Sequence, residues 1–140
     1  MAMPISVSPR STSSTTAIDG DKSLVYDFSG GDWGGAYLLL DTPTDISAFN
    51  QIKFSLNKPD TFVNAEIKLE AGATNALVFL KDYSGIELTN GFVEYTIPLA
   101  DFIGLEISGL TVPFSIWNPQ DANDAFVEIT VLIDNIYFAM

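Results

Sequence analysis

Neither cysteine nor histidine occurs in the 140 residues. Without cysteine there is no disulfide, no thiolate nucleophile and no cysteine metal site. Without histidine the usual general base and the usual zinc ligand are missing, along with every serine or cysteine triad that relies on imidazole. Basic residues are scarce: six lysines and arginines face 18 acids, for a net charge of −12. After Lys81 there are nine acids and no base. Such a field repels nucleic acid, anionic lipid and sulfated or uronic polymers. A neutral ligand or a cation is the expected partner, unless the acidity serves only solubility in salty water. No apolar run approaches the ~20 residues that a membrane-spanning helix needs, and no membrane partner is expected. The opening MAMPISVSPR lacks an h-region of about 7–15 apolar residues. Its MAMP start reads as an initiation sequence set ahead of an internal boundary, so a longer, secreted parent protein is expected.

What is present is apolar and periodic. Hydrophobic residues make up 47% of the chain, enough to build a core, and the length fits one domain over residues 1–140. After a Ser/Thr-rich first 22 residues, read as a short edge strand and a loop, come the runs SLVYDF, AYLLL, QIKFSL, FVNAEIKLE, ALVFLK, FVEYTIPL, LTVPFSIW and FVEITVLIDNIYF. Between them lie SGGDWGG, DTPTD, NKPD, AGATN, DYSG, TNG and NPQDAND, loops in which Gly, Pro, Asn and Asp do the turning. The spacing is that of a sandwich. Ile52, Phe54 and Leu56 alternate with Lys53 and Ser55. Val63, Ala65, Ile67 and Leu69 are expected inward, and Asn64, Glu66, Lys68 and Glu70 outward. Val93, Tyr95 and Ile97 continue the pattern. IPLADFIGL has room for one helical turn. The fold class expected is all-β: a two-sheet antiparallel β-sandwich of eight or nine strands, of the jelly-roll type.

The parity of VPFSIWN sets Val112, Phe114 and Ile116 on the core side and Trp117 on the outer side. A tryptophan facing water calls for explanation; it either binds a ligand or caps the sandwich end. In the last strand, Val127, Ile129, Val131 and Ile133 alternate, but Ile136 breaks parity with Ile133. A bulge near Asp134–Asn135 accounts for this.

Three stretches carry a family resemblance: residues 18–40, IDGDKSLVYDFSGGDWGGAYLLL; residues 91–102, GFVEYTIPLADF; and residues 112–138, from VPFSIWNPQDAND to VLIDNIYF. The arrangement resembles carbohydrate-binding modules of the galactose-binding-like jelly-roll superfamily, families 11 and 4 above all. The domain called complex I intermediate-associated protein 30 has the same style. The resemblance implies a non-catalytic module appended to a secreted bacterial glycoside hydrolase, with a glycan on one concave sheet and a structural calcium. A monomer is expected. The third, fifth, sixth and eighth strands would then share one surface, bringing together Tyr37, Glu66, Lys68, Trp117 and either Phe79 or Lys81.

A flat aromatic ring suits the C–H face of a sugar, and amides or carboxylates suit its hydroxyls. Covering roughly 50–80 Å² at about 25 cal/mol per Å² contributes about 1–2 kcal/mol per ring. Trp117 is the first ligand-binding residue on this reading. Trp33, between Gly31 and Gly34, is either a second ring or an anchor folded onto the sheet edge. Tyr37 is either a platform or core. Asn64, Glu66, Lys68 and Asn118 are the hydroxyl partners, unless they are simply solvated, and Tyr83 is placed at the rim. For the calcium the residues are Asp19, Asp21 and Asp134, since the ion takes six to eight oxygens and Gly20 lets the loop bend; Asp19 and Asp21 are otherwise ordinary turn residues.

A glycosidase needs two carboxylates facing one another across a cleft. Glu66 and Glu128 are conceivable, but eighteen acids produce such pairs by chance, and no enzyme is expected. The expected ligand is a neutral β-glucan, first β-1,3-glucan of the laminarin type, then mixed-linkage glucan or cellulose. The alternative is a protein–protein interaction domain in which the exposed aromatics anchor a partner protein.

Overall fold

Ile52, Phe54 and Leu56 of QIKFSLN are fully buried and Lys53 between them is half-buried, while Ser55, on the same parity as Lys53, is fully buried as well. Period-2 burial of apolar residues recurs through a computed structural model of the chain. The structure describes the backbone of residues 2–4, 12–14, 23–29, 35–38, 40, 42–58, 60–125 and 128–140. It describes side chains within 40–140 apart from positions 41, 59, 90 and 126–130. Trp33, Asp19 and Asp21 lie outside the described residues, as does the side chain of Tyr37.

The described strands are β1 (Ala2–Pro4), β2 (Thr12–Ser14), β3 (Ser23–Ser29), β4 (Gly35–Leu38), β5 (Gln51–Asn57), β6 (Asn64–Ala71), β7 (Thr74–Phe79), β8 (Ile86–Glu87), β9 (Phe92–Pro98), β10 (Phe114–Gln120) and β11 (Glu128–Ala139). They form two antiparallel sheets. One has the order β2-β3-β11-β5-β9-β8, with β1 also paired to β11; the other has the order β4-β10-β6-β7. The expected all-β sandwich is what the chain adopts. The turn expected in IPLADFIGL is a single 3-10 turn at Leu99–Asp101.

The core lies between the sheets. Phe54 of the larger sheet stacks on Tyr95 at 5.7 Å between ring centroids and meets Phe114 of the smaller sheet edge-on at 4.9 Å. Such aromatic contacts add to the area they bury. Phe62, Ile67, Leu69, Ile97, Ile116, Ile133 and Phe138 complete it, all fully buried.

Two asparagines with positive φ interrupt the closing strands. Asn135 has φ 52, and the register of β11 against β5 shifts between Asp134 and Tyr137. Three steps along β11 there oppose two along β5, the signature of a bulge. The bulge expected at Asp134–Asn135 is therefore present. A second one, absent from the sequence-based expectation, lies in β10: Asn118 has φ 53, and the register against β6 shifts between Trp117 and Gln120. Asparagine tolerates this left-handed conformation better than most residues.

Candidate functional site

β4, β6, β7 and β10 are the strands expected to share a surface, and they make up the smaller sheet. Residues paired directly across an antiparallel sheet lie on the same face. Trp117 pairs with Gly35 on one side and Glu66 on the other, and Glu66 pairs with Phe79. This makes a row across the sheet: Gly35, Trp117, Glu66, Phe79. One step along the strands, Ser115 pairs with Tyr37 and Lys68 pairs with Leu77. The opposite parity, Ile116, Ile67 and Val78, is buried in the core. Both rows therefore face outward, as the parity of VPFSIWN predicts for Trp117.

Trp117 is half-buried rather than open to water. Its indole N–H donates to Ser115 Oγ at 2.9 Å, and the Ser115 hydroxyl donates to the Lys68 carbonyl at 2.7 Å. Residues i and i+2 of a strand are about 6.6 Å apart, so an indole standing straight off the sheet could not reach Ser115. The ring leans along its own strand toward Ser115, which is fully buried. The polar edge of the indole is thereby satisfied by the protein, while the hydrophobic body of the ring stays on the outer side.

Glu66 is the central member of the row and is half-buried. Its Oε2 accepts a hydrogen bond of 2.7 Å from Asn118 Nδ2. Lys68 stands on the same face two residues on, also half-buried. Phe79 is 43% exposed and Leu77 40% exposed, side by side on edge strand β7. Leu77 lies outside the expected set, although its parity with Phe79 in ALVFLK is the signal that finds it. Of the pair Phe79 or Lys81, the one in the row is Phe79.

At the entry to β6 two expected orientations are reversed. Val63 is 42% exposed and Asn64 only 4% exposed, the reverse of expectation. The alternation stops where the strand stops: Val63 precedes β6 and its N–H donates to Gln120 O. Asn64 Oδ1 accepts the N–H of Lys81 at the turn after β7, so it serves the fold rather than the face. Tyr83 commits its hydroxyl to Asp101 Oδ2 at 2.7 Å, which ties the turn after β7 to the turn after β9. Burial foremost, and this bond to Asp101 next, push its phenol well above the ordinary tyrosine range.

Asp134 sits at the β11 bulge, where its Oδ1 accepts the Asn135 N–H at 2.8 Å. Among the described residues no group of three or more acids is placed to hold a metal ion. Glu128 belongs to the larger sheet and Glu66 to the smaller one, so these two acids stand on different layers.

No family model matches the sequence, and no curated protein matches it. Solved structures do match. A family 11 carbohydrate-binding module from Clostridium thermocellum, in complex with a β-1,3-1,4-mixed-linked tetrasaccharide, superposes with a TM-score of 0.62 at 12% identity. The match covers 99% of this chain and 83% of that one. The family 11 module of the cellulosomal cellulase Lic26A-Cel5E of the same organism gives 0.61 at 12% identity, over 99% and 82%. A structure of an exo-β-agarase gives 0.61 at 16% identity, and there the match spans 98% of this chain but 22% of the other. The chain has the β-jelly-roll fold of the family 11 carbohydrate-binding modules.

Proposed function

We propose that the chain is a non-catalytic module that binds a neutral β-glucan on the outer face of the smaller sheet. The observation that carries this is the row Trp117, Glu66, Phe79: aromatic, carboxylate and aromatic side by side on three neighbouring strands. Rings there can cover sugar C–H faces while the carboxylate accepts hydroxyl protons. The excess of acids over bases disfavours uronic and sulfated polymers. The likeness to a family 11 module solved with a mixed-linked tetrasaccharide supports a β-glucan. Laminarin-type β-1,3-glucan and mixed-linkage glucan are the two ligands to try first, then cellulose chains. The match to part of an exo-β-agarase supports attachment to a hydrolase.

Native affinity electrophoresis against laminarin, mixed-linkage glucan, hydroxyethyl cellulose, xylan, agarose and alginate tests the reading. Retardation by a neutral glycan is expected, and it should be lost in Trp117→Ala while that variant still melts cooperatively as a folded domain, at a somewhat lower temperature because the bond to Ser115 goes with the ring. No retardation by any neutral glycan would sink it. A protein-docking role is the second reading, favoured by the exposed apolar pair Leu77 and Phe79 on an edge strand; soluble glucan would then fail to compete with the partner protein.

A further inference from the structure

Asn118 carries three features that are costly together. Its backbone is left-handed, with φ 53. It creates the β10 bulge immediately after Trp117. Its side-chain Oδ1 is buried and has no hydrogen-bond partner. A buried, unpaired amide oxygen is rare in folded proteins, and a left-handed non-glycine residue is uncommon. Strain of this kind persists where surrounding structure enforces it, and it gathers at functional sites. The amide orientation is fixed by Glu66, because only the Nδ2 end can donate to a carboxylate. The 2.7 Å contact to Oε2 therefore leaves Oδ1 buried with no protein donor.

From this we infer that Asn118 is a positioning residue for Glu66, and that it does not itself hold the ligand; the inference rests on the proposed glycan-binding face. Asn118 has its oxygen sealed from solvent and one of its two amide protons spent on the carboxylate. Glu66 has one oxygen committed and Oε1 left as the acceptor for a ligand hydroxyl. A carboxylate tethered through one oxygen loses rotamer freedom before binding, which lowers the ordering cost at the moment of binding. The bulge makes the tether possible. In a regular strand the residue after Trp117 points into the core; the extra residue and positive φ turn Asn118 toward Glu66 on the face instead. The ligand recognised is accordingly one that donates a hydroxyl proton between two apolar platforms.

Two variants test this. Asn118→Gly keeps the left-handed backbone and removes the tether. Asn118→Asp keeps the size and puts a second carboxyl against Glu66. On the same face Lys68 follows Glu66 by two residues, and the direct cross-strand neighbours of Glu66, Trp117 on β10 and Phe79 on β7, do not titrate in the range used. Glucan affinity is measured by calorimetry with the glycan that retards the wild type, together with the melting temperature. The Asn118→Gly variant should lose about tenfold in affinity while still melting as a folded domain.

The Asn118→Asp variant should bind much more weakly than wild type near pH 8, where two carboxylates repel. The gap should shrink at least about fivefold near pH 4.5, where a shared proton restores one hydrogen bond between them. Wild-type affinity in Asn118→Gly, or an Asn118→Asp defect that does not respond to pH, would overturn the inference. Failure of the wild type itself to bind any glycan would instead defeat the reading on which it rests.

Discussion

The indole N–H of Trp117 ends on the hydroxyl of Ser115, two residues earlier on the same strand, and that hydroxyl ends on the carbonyl of Lys68 on the next strand. The relay fixes a large ring against the sheet by satisfying its one polar atom. A ring that is already immobile loses little freedom when a ligand lands on it.

Removing the relay should therefore be felt at the ring. In a Trp33→Phe background, where Trp117 is the remaining tryptophan, Ser115→Ala should shift the emission maximum and lower stability by about 1 kcal/mol. Fluorescence and urea denaturation read the two effects. An unchanged spectrum would mean that the hydroxyl does not hold the ring.

Exposure separates Phe79 from Phe54. Phe79 is 43% exposed on the edge strand, while Phe54 is sealed between the sheets. Phe79→Ala should cost under about 0.5 kcal/mol of stability and weaken glucan binding several-fold. Phe54→Ala should cost about 3–5 kcal/mol. Comparable destabilisation by both would show that Phe79 belongs to the core.

The β11 bulge rests on a left-handed Asn135. Asn135→Ala should lower stability by about 1–2 kcal/mol, whereas Asn135→Gly should stay within about 0.5 kcal/mol of wild type. If the two variants melt alike, backbone strain is not what selects asparagine there.

Alkali should find the Tyr83–Asp101 contact. Burial first, and the bond to Asp101 second, raise the folded-state pKa of Tyr83 above its unfolded value of about 10. The folded protein then holds this proton more tightly than the unfolded chain does. The associated stability is fully present below about pH 10 and is lost as pH climbs from there toward the folded value. Burial moves Tyr95 and Tyr137 the same way. Between about pH 9 and pH 11.5, denaturation of Tyr83→Phe should show a shallower fall than wild type. Parallel curves would remove Tyr83 as the cause.

A calcium bound by Asp19, Asp21 and Asp134 would join the segment before β3 to the bulge of β11. On that proposal chelator lowers the melting temperature, added calcium restores it, and Asp134→Ala abolishes the difference. Identical melts with and without chelator would dispose of the metal.

Much of the architecture is written in alternation. Ile52, Phe54 and Leu56 read directly as one buried face, and the break between Ile133 and Ile136 locates a bulge from residue types alone. Parity also turns Trp117 outward; that Glu66 shares its surface follows from the strand order the family resemblance implies, and the choice of Phe79 over Lys81 comes only from the register of β7 against β6. Other features leave no such trace. The parity of β10 runs unbroken to Trp117, and the next three residues, NPQ, have the composition of a loop; the strand in fact continues to Gln120 through a bulge. Ser115 has the parity and residue type of an ordinary solvated position, yet it is fully buried and bonded to an indole two residues away. β8 has two residues, too few for any period. Tethering of Glu66 by Asn118 needs a backbone turn that neighbouring residue types do not announce.

β1 lies antiparallel along the end of β11, with Ala2 opposite Ala139. Positions near the beginning and the end of the chain thus sit on adjacent strands of the larger sheet, in the layer behind the aromatic row. A tag, a solid support or a second polypeptide joined at either end would pull from the same corner of the molecule. Attaching the protein to a support near position 2 or near position 139 should therefore leave the aromatic row equally able to meet a polymer in solution.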